Sequence, residues 1–295
     1  KSYLMIGSDF SFLNAKNSNL ILVGEEKNSK TYWFPNAELQ FAAADEFKFY
    51  AGINGGLKLN SYADLLEENP YLVSDQELRA TETKYKFYFG LRGDIDQNIK
   101  YDFSAGFGKM NDLLFFKAND LFNNNVDYNR PAFDYANTFS AVYDNGTVSE
   151  AKASVQYFPL ANLALNAELK FEKYNLDNYE NIFNKPLVKV SLGGKYAMLD
   201  KKLNLGAKAI FATDQTTNSF EVNNVGINPN ILVSTENKND KVGGFADLNL
   251  SAEYKVHKNF SIFALGNNVL NTQYQTYKGY KVLGAQILGG VKISF

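Results

Sequence analysis

Length, composition and charge restrict this chain to a few structural classes. It has 295 residues, with no Cys, one His, 24 Phe and 19 Tyr, and its formal net charge is −2. The balanced charge gives no support for a nucleic-acid-binding surface, and a single His without Cys cannot form a histidine-based zinc cluster. No run of about 18 apolar residues occurs, which excludes a membrane helix. A closed β-barrel is then the remaining way for this chain to cross a bilayer, because backbone amides in lipid need partners within the protein.

Alternating apolar and polar residues predict strands from the N terminus onward. Residues 3–13 are expected to form the first strand and residues 14–32 one outer loop, and the alternation becomes regular from Trp33. Residues 47–59 then alternate without a break, which is longer than the roughly 5–6 residues of a soluble strand and suits the roughly 9–11 that cross an outer membrane. Residues 61–81 interrupt the pattern, and a long loop with a helical turn before Asn69-Pro70 is predicted there.

The middle of the chain is harder to divide into strands. Two strands joined by residues 94–98 are predicted, and a tight hairpin at 109–112 would split residues 98–118 into two strands. Further strands are expected at 138–143 and 151–158. Between them lies Asp144-Asn145-Gly146, and Asn-Gly is the strongest local hairpin signal in the chain.

The C-terminal half shows the most regular alternation. Strands are predicted at residues 163–171, 188–196, 203–211, 248–256, 260–270 and 284–295. They are joined alternately by short turns (159–162, 200–201 and 257–259) and by long polar loops (172–186, 213–243 and 271–283). Outer-membrane barrels have short turns on the periplasmic side and long loops outside. We therefore predict an all-β, transmembrane antiparallel outer-membrane β-barrel of about 14 strands, whose last strand ends at the periplasmic side.

Charged residues within these strands avoid the apolar face. A charge facing lipid would cost about 2–4 kcal/mol at mid-membrane, so charged side chains are expected to face the lumen. They either define a path for a solute or neutralise one another across strands, and the sequence leaves both open. The lumen-facing candidates are Lys48, Lys58, Arg92, Asp102, Glu168, Lys170, Glu172, Asp247, Glu253 and Lys255.

The C-terminal block resembles the corresponding part of TonB-dependent receptors of the Gram-negative outer membrane. The matching residues are 245–254, 267–271 with Tyr274, 279–280 and the glycine-punctuated last strand that ends in Phe295. A second, less specific match covers Asn69-Pro70-Tyr71, Thr83, Gly90 and Pro186. The resemblance implies uptake or passage of a solute or nutrient across the outer membrane, and it implies that Phe295 is recognised by the barrel-assembly machinery.

The resemblance also has a limit, because such receptors carry an N-terminal plug and a 22-stranded barrel, and neither fits into residues 1–295. The chain is therefore expected to be a single barrel domain without a plug, either complete or the C-terminal part of a larger barrel. The expected partners are outer-membrane lipid, the assembly machinery and a surface lipoprotein or other outer-membrane subunit. The alternative function is that of a plugless accessory subunit of a larger outer-membrane complex, and the alternative fold is a soluble β-sandwich or β-helix.

No motif of the chain indicates catalysis, a metal or a cofactor. His257 lies in a short turn and is expected to be a solvated residue, and no Ser in a strand-to-helix elbow suggests a hydrolase. Asp214, Glu236 and Asp240 lie in a polar loop that lacks the spacing of a calcium loop. The glycine pairs at 55–56, 193–194, 243–244 and 289–290 fall within predicted strands, where they would relieve crowding as the wall curves.

Overall fold

The computed structural model describes residues 1–17, 26–74, 76–119, 138–223 and 234–294. Strands dominate these ranges, and one short helix, α1, spans Tyr62–Glu68. The strands are β1 Tyr3–Asn17, β2 Glu26–Ala42, β3 Lys48–Lys58, β4 Thr81–Ile95, β5 Ile99–Ala118, β6 Phe139–Leu160, β7 Leu163–Leu176, β8 Val188–Met198, β9 Leu203–Ala212, β10 Gln215–Asn223, β11 Ser234–Val242, β12 Phe245–His257, β13 Phe260–Asn267, β14 Gln275–Tyr277, β15 Tyr280–Lys281 and β16 Gln286–Ile293.

Twelve of these strands form one antiparallel sheet without a crossover. Its order is β1-β2-β3-β4-β5-β6-β7-β8-β9-β12-β13-β16, so each strand pairs with its neighbours along the chain once two small ribbons, β10-β11 and β14-β15, are set aside. The predicted all-β antiparallel fold is confirmed. Within the described residues the main sheet has twelve strands, and either two-stranded ribbon brings the number to the expected value of about fourteen. No helix in the described ranges is long and apolar enough to span a membrane.

The two faces of the sheet differ in polarity. Residues paired directly across antiparallel strands point to the same face, and the register places Leu250 with Ala207 and Gly266. Large apolar side chains are exposed on this face, with Ile6 78%, Phe12 80% and Ile287 89% exposed. An extended exposed apolar surface indicates contact with a membrane. We call this side the lipid face.

The opposite side is the polar face. Lys255 pairs with Ser261, which in turn pairs with Lys292, so both lysines lie on the polar face. Leu248 and Ile293 lie on the lipid face with Leu250. The sheet therefore has its apolar residues outside and its polar residues inside, as the alternation predicts.

The connections are also divided between the two ends of the sheet. Short connections join β2 to β3, β4 to β5, β6 to β7, β8 to β9 and β12 to β13. In the β4-β5 turn, Asp96 and Gln97 have φ of 51° and 59°, which fits the left-handed geometry of a tight hairpin turn. The opposite end carries α1, the segment after β7 and both ribbons. We call these the short-turn end and the loop end.

The hairpin predicted at residues 109–112 is wrong, since β5 is one continuous strand. It pairs with β6 on both sides of this point, Met110 with Gly146 and Leu113 with Asp144, and the register shifts between them. Asp112 has φ of 48°. The local turn signal is therefore accommodated by a β-bulge, in which extra residues on one strand leave the strand pairing intact.

The turn predicted at Asp144-Asn145-Gly146 is also wrong, because β6 runs through it. The Asp144 carboxylate accepts hydrogen bonds from the Asn178 backbone N at 2.8 Å, from Asn178 Nδ2 at 2.7 Å and from the Tyr179 backbone N at 3.0 Å. A Cβ on Gly146 would lie 2.4 Å from the Asn175 carbonyl oxygen. Asp144 thus binds the segment that follows β7, and Gly146 allows the close approach of β7 itself. The local sequence cannot distinguish these roles from those of turn residues.

Several predicted loops contain ordered strands. Residues 14–17 and 26–32 belong to β1 and β2, β7 extends to Leu176, and the β10-β11 ribbon lies within 213–243. Gly243-Gly244 lies between two strands, whereas the other three glycine pairs lie within strands as predicted. The predicted helical turn before Asn69 is confirmed as α1. Its first turn has a capping box, in which the Asp64 backbone N donates to Ser61 Oγ at 3.2 Å and the Asp64 carboxylate accepts from the Ser61 backbone N at 3.1 Å.

Candidate functional site: the polar face and its loop cap

The ten charged candidates all lie on the polar face. Lys48 pairs with Arg92 and Arg92 with Asp102, so these three side chains project from adjacent strands in one row. Asp102 pairs with Ser154, and Ser154 with Glu168, which continues the row into β7. The alternation of β3, β7 and β12 places the remaining candidates on the same face; they are Lys58, Lys170, Glu172, Asp247, Glu253 and Lys255. Phe295 lies outside the described residues.

The polar side chains of β1–β6 bind one another, and we call this part of the polar face the paired wall. Glu38 is its centre. One carboxylate oxygen accepts from Arg92 Nη2 at 2.9 Å and from the Tyr3 hydroxyl, and the other accepts from the Tyr88 hydroxyl at 2.8 Å. Arg92 Nε donates to Gln40 Oε1 at 2.8 Å. Hydrogen bonds in which one group is ionised are stronger than neutral ones, so this cluster links three strands firmly.

Two further clusters extend the paired wall. The Tyr50 hydroxyl donates to Asp102 Oδ1 at 2.5 Å, and the Arg92 guanidinium carbon lies 4.5 Å from the centre of the Tyr50 ring. Toward the loop end, Glu150 Oε1 forms ion pairs with Lys86 Nζ at 3.2 Å and with Lys152 Nζ at 3.3 Å. Cross-strand neutralisation, one of the two roles left open by the sequence, therefore describes this half of the polar face.

The second half of the polar face lines an open cavity of about 1080 Å³. It is lined by β7, β8, β9, β12 and β13, and we call this region the open wall. Its lining includes Asn166, Asn204, Asn249, Asn267, Lys195 and Lys208.

Most polar groups of the open wall are unpaired. Within the described ranges, the side chains of Asn166, Asn204 and Asn267 form no hydrogen bond, and Lys195 and Lys208 form no ion pair. Glu168 is likewise without a partner there. Other polar groups of this half are paired. Glu253 accepts from Ser261 Oγ at 2.8 Å, Asn249 accepts from the Asn268 backbone N at 3.1 Å, and Asn162 Nδ2 donates to the Ala197 carbonyl oxygen at 2.8 Å. Beyond the cavity lining, Lys170 forms an ion pair with Glu172 at 2.9 Å, and Asp247 accepts from the Tyr274 hydroxyl at 3.0 Å.

Three glycines of the open wall make room for side chains of the neighbouring strands. Gly193, Gly206 and Gly290 lie on the polar face, and neighbouring side chains occupy the space that a side chain would fill. A Cβ on Gly193 would lie 2.3 Å from Asn166 Oδ1, and one on Gly206 would lie 2.4 Å from Ser251 Oγ. A Cβ on Gly290 would lie 2.6 Å from the Phe263 ring. The glycines therefore allow Asn166, Ser251 and Phe263 to lie over the backbone of an adjacent strand.

The loop end carries an apolar cluster, which we call the loop cap. It consists of α1 with residues 69–73, the loop ends of β5 and β6, and the β14-β15 ribbon. Its most buried side chains are Leu65, Leu114, Phe116, Phe139 and Tyr277. Burying each such side chain contributes about 1.5–3 kcal/mol, so the cap is a core in its own right.

The loop cap joins regions that are distant in the sequence. The Tyr277 hydroxyl donates to the Glu68 carbonyl oxygen at 2.9 Å, and Tyr71 stacks on Tyr280 with ring centres 3.4 Å apart. Burial, together with the nearby Glu68 carboxylate, raises the pKa of Tyr277 above its ordinary value. Because Glu68 follows β3 and Tyr277 follows β13, these contacts join two connections whose strands lie far apart in the order of the sheet.

The β10-β11 ribbon is tied to the cap by polar contacts. Asn218 donates to the Ala118 carbonyl at 2.9 Å and accepts from the Ala118 backbone N at 2.8 Å. Asp240 pairs with Lys278 of the β14-β15 turn, and this hydrogen bond holds the pKa of the Asp240 carboxyl below its ordinary value. Lys241 Nζ lies 2.8 Å from Asp214 Oδ2, and it likewise holds the pKa of the Asp214 carboxyl below its ordinary value. Two of the three acidic residues considered for calcium are thus paired with lysines; the side chain of the third, Glu236, lies outside the described residues.

Sequence reasoning located the polar face but missed the loop cap. The cap residues Tyr71, Tyr277 and Tyr280 lie in segments predicted as loops. Tyr71 and Tyr280 belong to the stretches that carry the family resemblance, but nothing in the sequence indicated that these aromatic residues pack together. His257 is exposed at the short-turn end, where a solvated turn residue was expected.

Comparison with known proteins finds the same fold in outer-membrane receptors. The ferripyoverdine receptor of Pseudomonas aeruginosa matches 99% of this chain with a TM-score of 0.66 at 14% identity. The siderophore receptor PiuA of Acinetobacter baumannii matches 98% with a TM-score of 0.62 at 12% identity, and the copper transporter OprC matches 92% with a TM-score of 0.59 at 16% identity. No protein-family model and no curated protein matches the chain.

These neighbours are TonB-dependent receptors, so the predicted resemblance and the outer-membrane β-barrel fold are confirmed. They are transporters and receptors and not enzymes. The chain spans 36% of the ferripyoverdine receptor and 40% each of PiuA and OprC. The shared property is the fold of the barrel wall.

Proposed function

We propose that this chain forms the wall of a receptor-like outer-membrane barrel through which a solute passes, with the loop cap as the part that receives the solute. The observation that carries the proposal is the loop cap itself. It covers the loop end of a polar face whose opposite side is suited to lipid. A solute that reaches the polar face from the loop end must displace cap contacts such as the one between Tyr277 and Glu68.

The ten charged candidates have two roles in this proposal. Those of the paired wall, including Arg92 and Asp102, hold the strands together. Those of the open wall, including Glu168, face the solute. The lipid face contacts the outer-membrane bilayer, and the C-terminal strand with Phe295 is the segment that the assembly machinery recognises.

The cap can be locked by a reducible cross-link, since the chain contains no Cys. Glu68 and Tyr277 are separated by the length of the Tyr277 side chain, whose hydroxyl reaches the Glu68 carbonyl. This span is too long for a direct disulfide and suits a short bis-maleimide with an internal disulfide. The Glu68→Cys/Tyr277→Cys double variant is purified from outer membranes, treated with this cross-linker and reconstituted into planar bilayers. We expect conductance that falls on cross-linking and returns on reduction. The single variants Glu68→Cys and Tyr277→Cys are the controls, and the same treatment should leave their conductance unchanged.

Two results would contradict the proposal. One is the absence of conductance above that of protein-free bilayers in both the cross-linked and the reduced protein. The other is a stoichiometric lipoprotein or outer-membrane subunit that co-purifies and without which the barrel is closed, which would favour the accessory-subunit function instead.

A further inference from the structure

We propose that the open wall is a binding site for a neutral oligosaccharide. This inference deepens the proposed function, on which it rests, by naming a class of solute. It depends on the charge, the hydrogen-bonding groups and the shape of the cavity.

The charges of the cavity lining are nearly balanced. Three lysines, Lys195, Lys201 and Lys208, face two glutamates, Glu168 and Glu253, and the lining holds no Arg and no Asp. Recognition of phosphate or carboxylate typically uses the planar, bidentate guanidinium of Arg. A balanced lining without Arg favours an uncharged ligand over an anionic one.

Amides dominate the remaining polar groups. Each Asn side chain carries a donor NH₂ and an acceptor oxygen, which matches a sugar hydroxyl pair, where each hydroxyl also donates and accepts. Asn166, Asn204 and Asn267 have both groups unpaired within the described ranges. A ligand that leaves such groups buried and unpaired would bind weakly, so the wall selects for ligands rich in hydroxyls.

The amides are spread across several strands. Asn166 pairs with Gly193, Gly193 with Lys208, and Lys208 with Asn249, which forms one row across β7, β8, β9 and β12. Adjacent strands lie about 4.8 Å apart, so the row extends over roughly 14 Å. It is therefore long enough for several sugar units rather than one.

An aromatic ring completes the wall. Phe263 lies on the polar face, in a row with Glu253 and Gly290, and Gly290 provides the space for its ring. The face of an aromatic ring carries partial negative charge, which suits the C–H side of a sugar ring. The cavity volume of about 1080 Å³ is at the upper end of the range of small-molecule sites.

Binding can be measured by isothermal titration calorimetry on the protein purified from outer membranes, in a detergent without a sugar head group. The probes are maltohexaose, cellohexaose and xylohexaose, with hexaglycine and citrate as ligands of other classes. We expect at least one hexasaccharide to bind, and hexaglycine and citrate not to bind. Replacing Asn204 or Asn166 by Ala should weaken that binding about three- to tenfold for each, the loss of one or two hydrogen bonds.

The control is Asn98→Ala, an exposed amide at the short-turn end outside the open wall, which should bind like the unmodified protein. A second test variant, Ser251→Leu, adds bulk to the cavity lining while keeping every amide, and it should also weaken binding. Retained heat-modifiable migration in electrophoresis shows that each variant is folded.

Three results would overturn the oligosaccharide site: no binding of any hexasaccharide, equal binding by the Asn204→Ala and Asn166→Ala variants and the control, or binding of hexaglycine or citrate in preference to the sugars. The proposed function is tested separately by conductance. Sugar binding without conductance would refute solute passage and leave the site in place, whereas conductance without sugar binding would do the reverse.

Discussion

The paired wall and the open wall belong to the same face of the same sheet, yet they use polar residues in opposite ways. In the paired wall, Glu38 and Arg92 bind each other and the tyrosines around them, so their charges are neutralised within the protein. In the open wall, Lys208 and Glu168 have no partner within the described ranges. The comparison shows that facing the lumen does not by itself make a charged residue available to a solute. Availability depends on whether the neighbouring strands supply a partner.

The largest difference is expected from removing one carboxylate in each wall. Glu38→Ala leaves Arg92 and two tyrosine hydroxyls without their acceptor, so it should lower the free energy of unfolding by about 2–3 kcal/mol. Glu168→Ala, the matched change in the open wall, should stay within about 0.5 kcal/mol. Urea unfolding in detergent, followed by the fluorescence of the single tryptophan, Trp33, measures both. Equal losses in the two variants would mean that the walls do not differ.

A glycine pair tests the same comparison through packing. A Cβ on Gly90 would lie 2.4 Å from the Tyr50 ring and 2.5 Å from the Phe103 carbonyl oxygen, so Gly90→Ala displaces the Tyr50 ring that reaches Asp102. We expect a loss of about 2 kcal/mol. The control is Gly56→Ala, where no atom lies within 4 Å of the added Cβ, and it should be neutral or slightly stabilising. If Gly90→Ala unfolds at the same urea concentration as Gly56→Ala, the Tyr50 contact does not stabilise the paired wall.

The loop cap, which connects the ends of the two walls, should respond to high pH. The pKa of Tyr277 is raised from its ordinary value of 10.0, so the neutral hydroxyl is favoured in the closed cap. Its contribution is complete below pH 10 and is lost as the pH rises above that value toward the pKa of the closed state. Tyr277→Phe should remove this part of the pH dependence and destabilise the cap by about 1 kcal/mol at neutral pH. Hydrogen exchange at the amide of Asn69, which donates to the Leu65 carbonyl at 2.8 Å, reports the opening. The same pH dependence in the Phe variant would assign it to another group.

The smallest effect on stability is expected at Lys208. Because this lysine has no ion-pair partner within the described ranges, Lys208→Glu should change the unfolding free energy by less than about 0.5 kcal/mol, while shifting the reversal potential of the conducting barrel toward cation selectivity. The matched change in the paired wall, Lys86→Glu, replaces the lysine that lies 3.2 Å from Glu150 by a second carboxylate and should lower stability. An unchanged reversal potential for Lys208→Glu would show that the open wall does not contact the permeating ions.

The strands that sequence reasoning placed best are those whose two faces meet lipid and a polar lumen, such as 163–171 and 203–211. In these strands the polarity of each residue depends only on the face of the sheet on which it lies, so the alternation of apolar and polar residues is sufficient to predict the strand. The errors fall where a residue is determined by a distant partner. Asp144 and Gly146 have the local chemistry of a turn, but the contacts of Asp144 with Asn178 and Tyr179 and the close approach of Gly146 to Asn175 keep β6 continuous.

The sequence by itself determined the all-β class, the inverted arrangement of apolar and polar faces and the alternation of short and long connections, because each depends on period-two patterning and local turn residues. The tertiary structure alone decided which charged residues neutralise each other, where the wall becomes hollow and how the loops form an apolar cap. These features depend on strand register and on contacts such as that between Glu68 and Tyr277, 209 positions apart in the chain. Contacts over such separations leave no periodic trace in a single sequence.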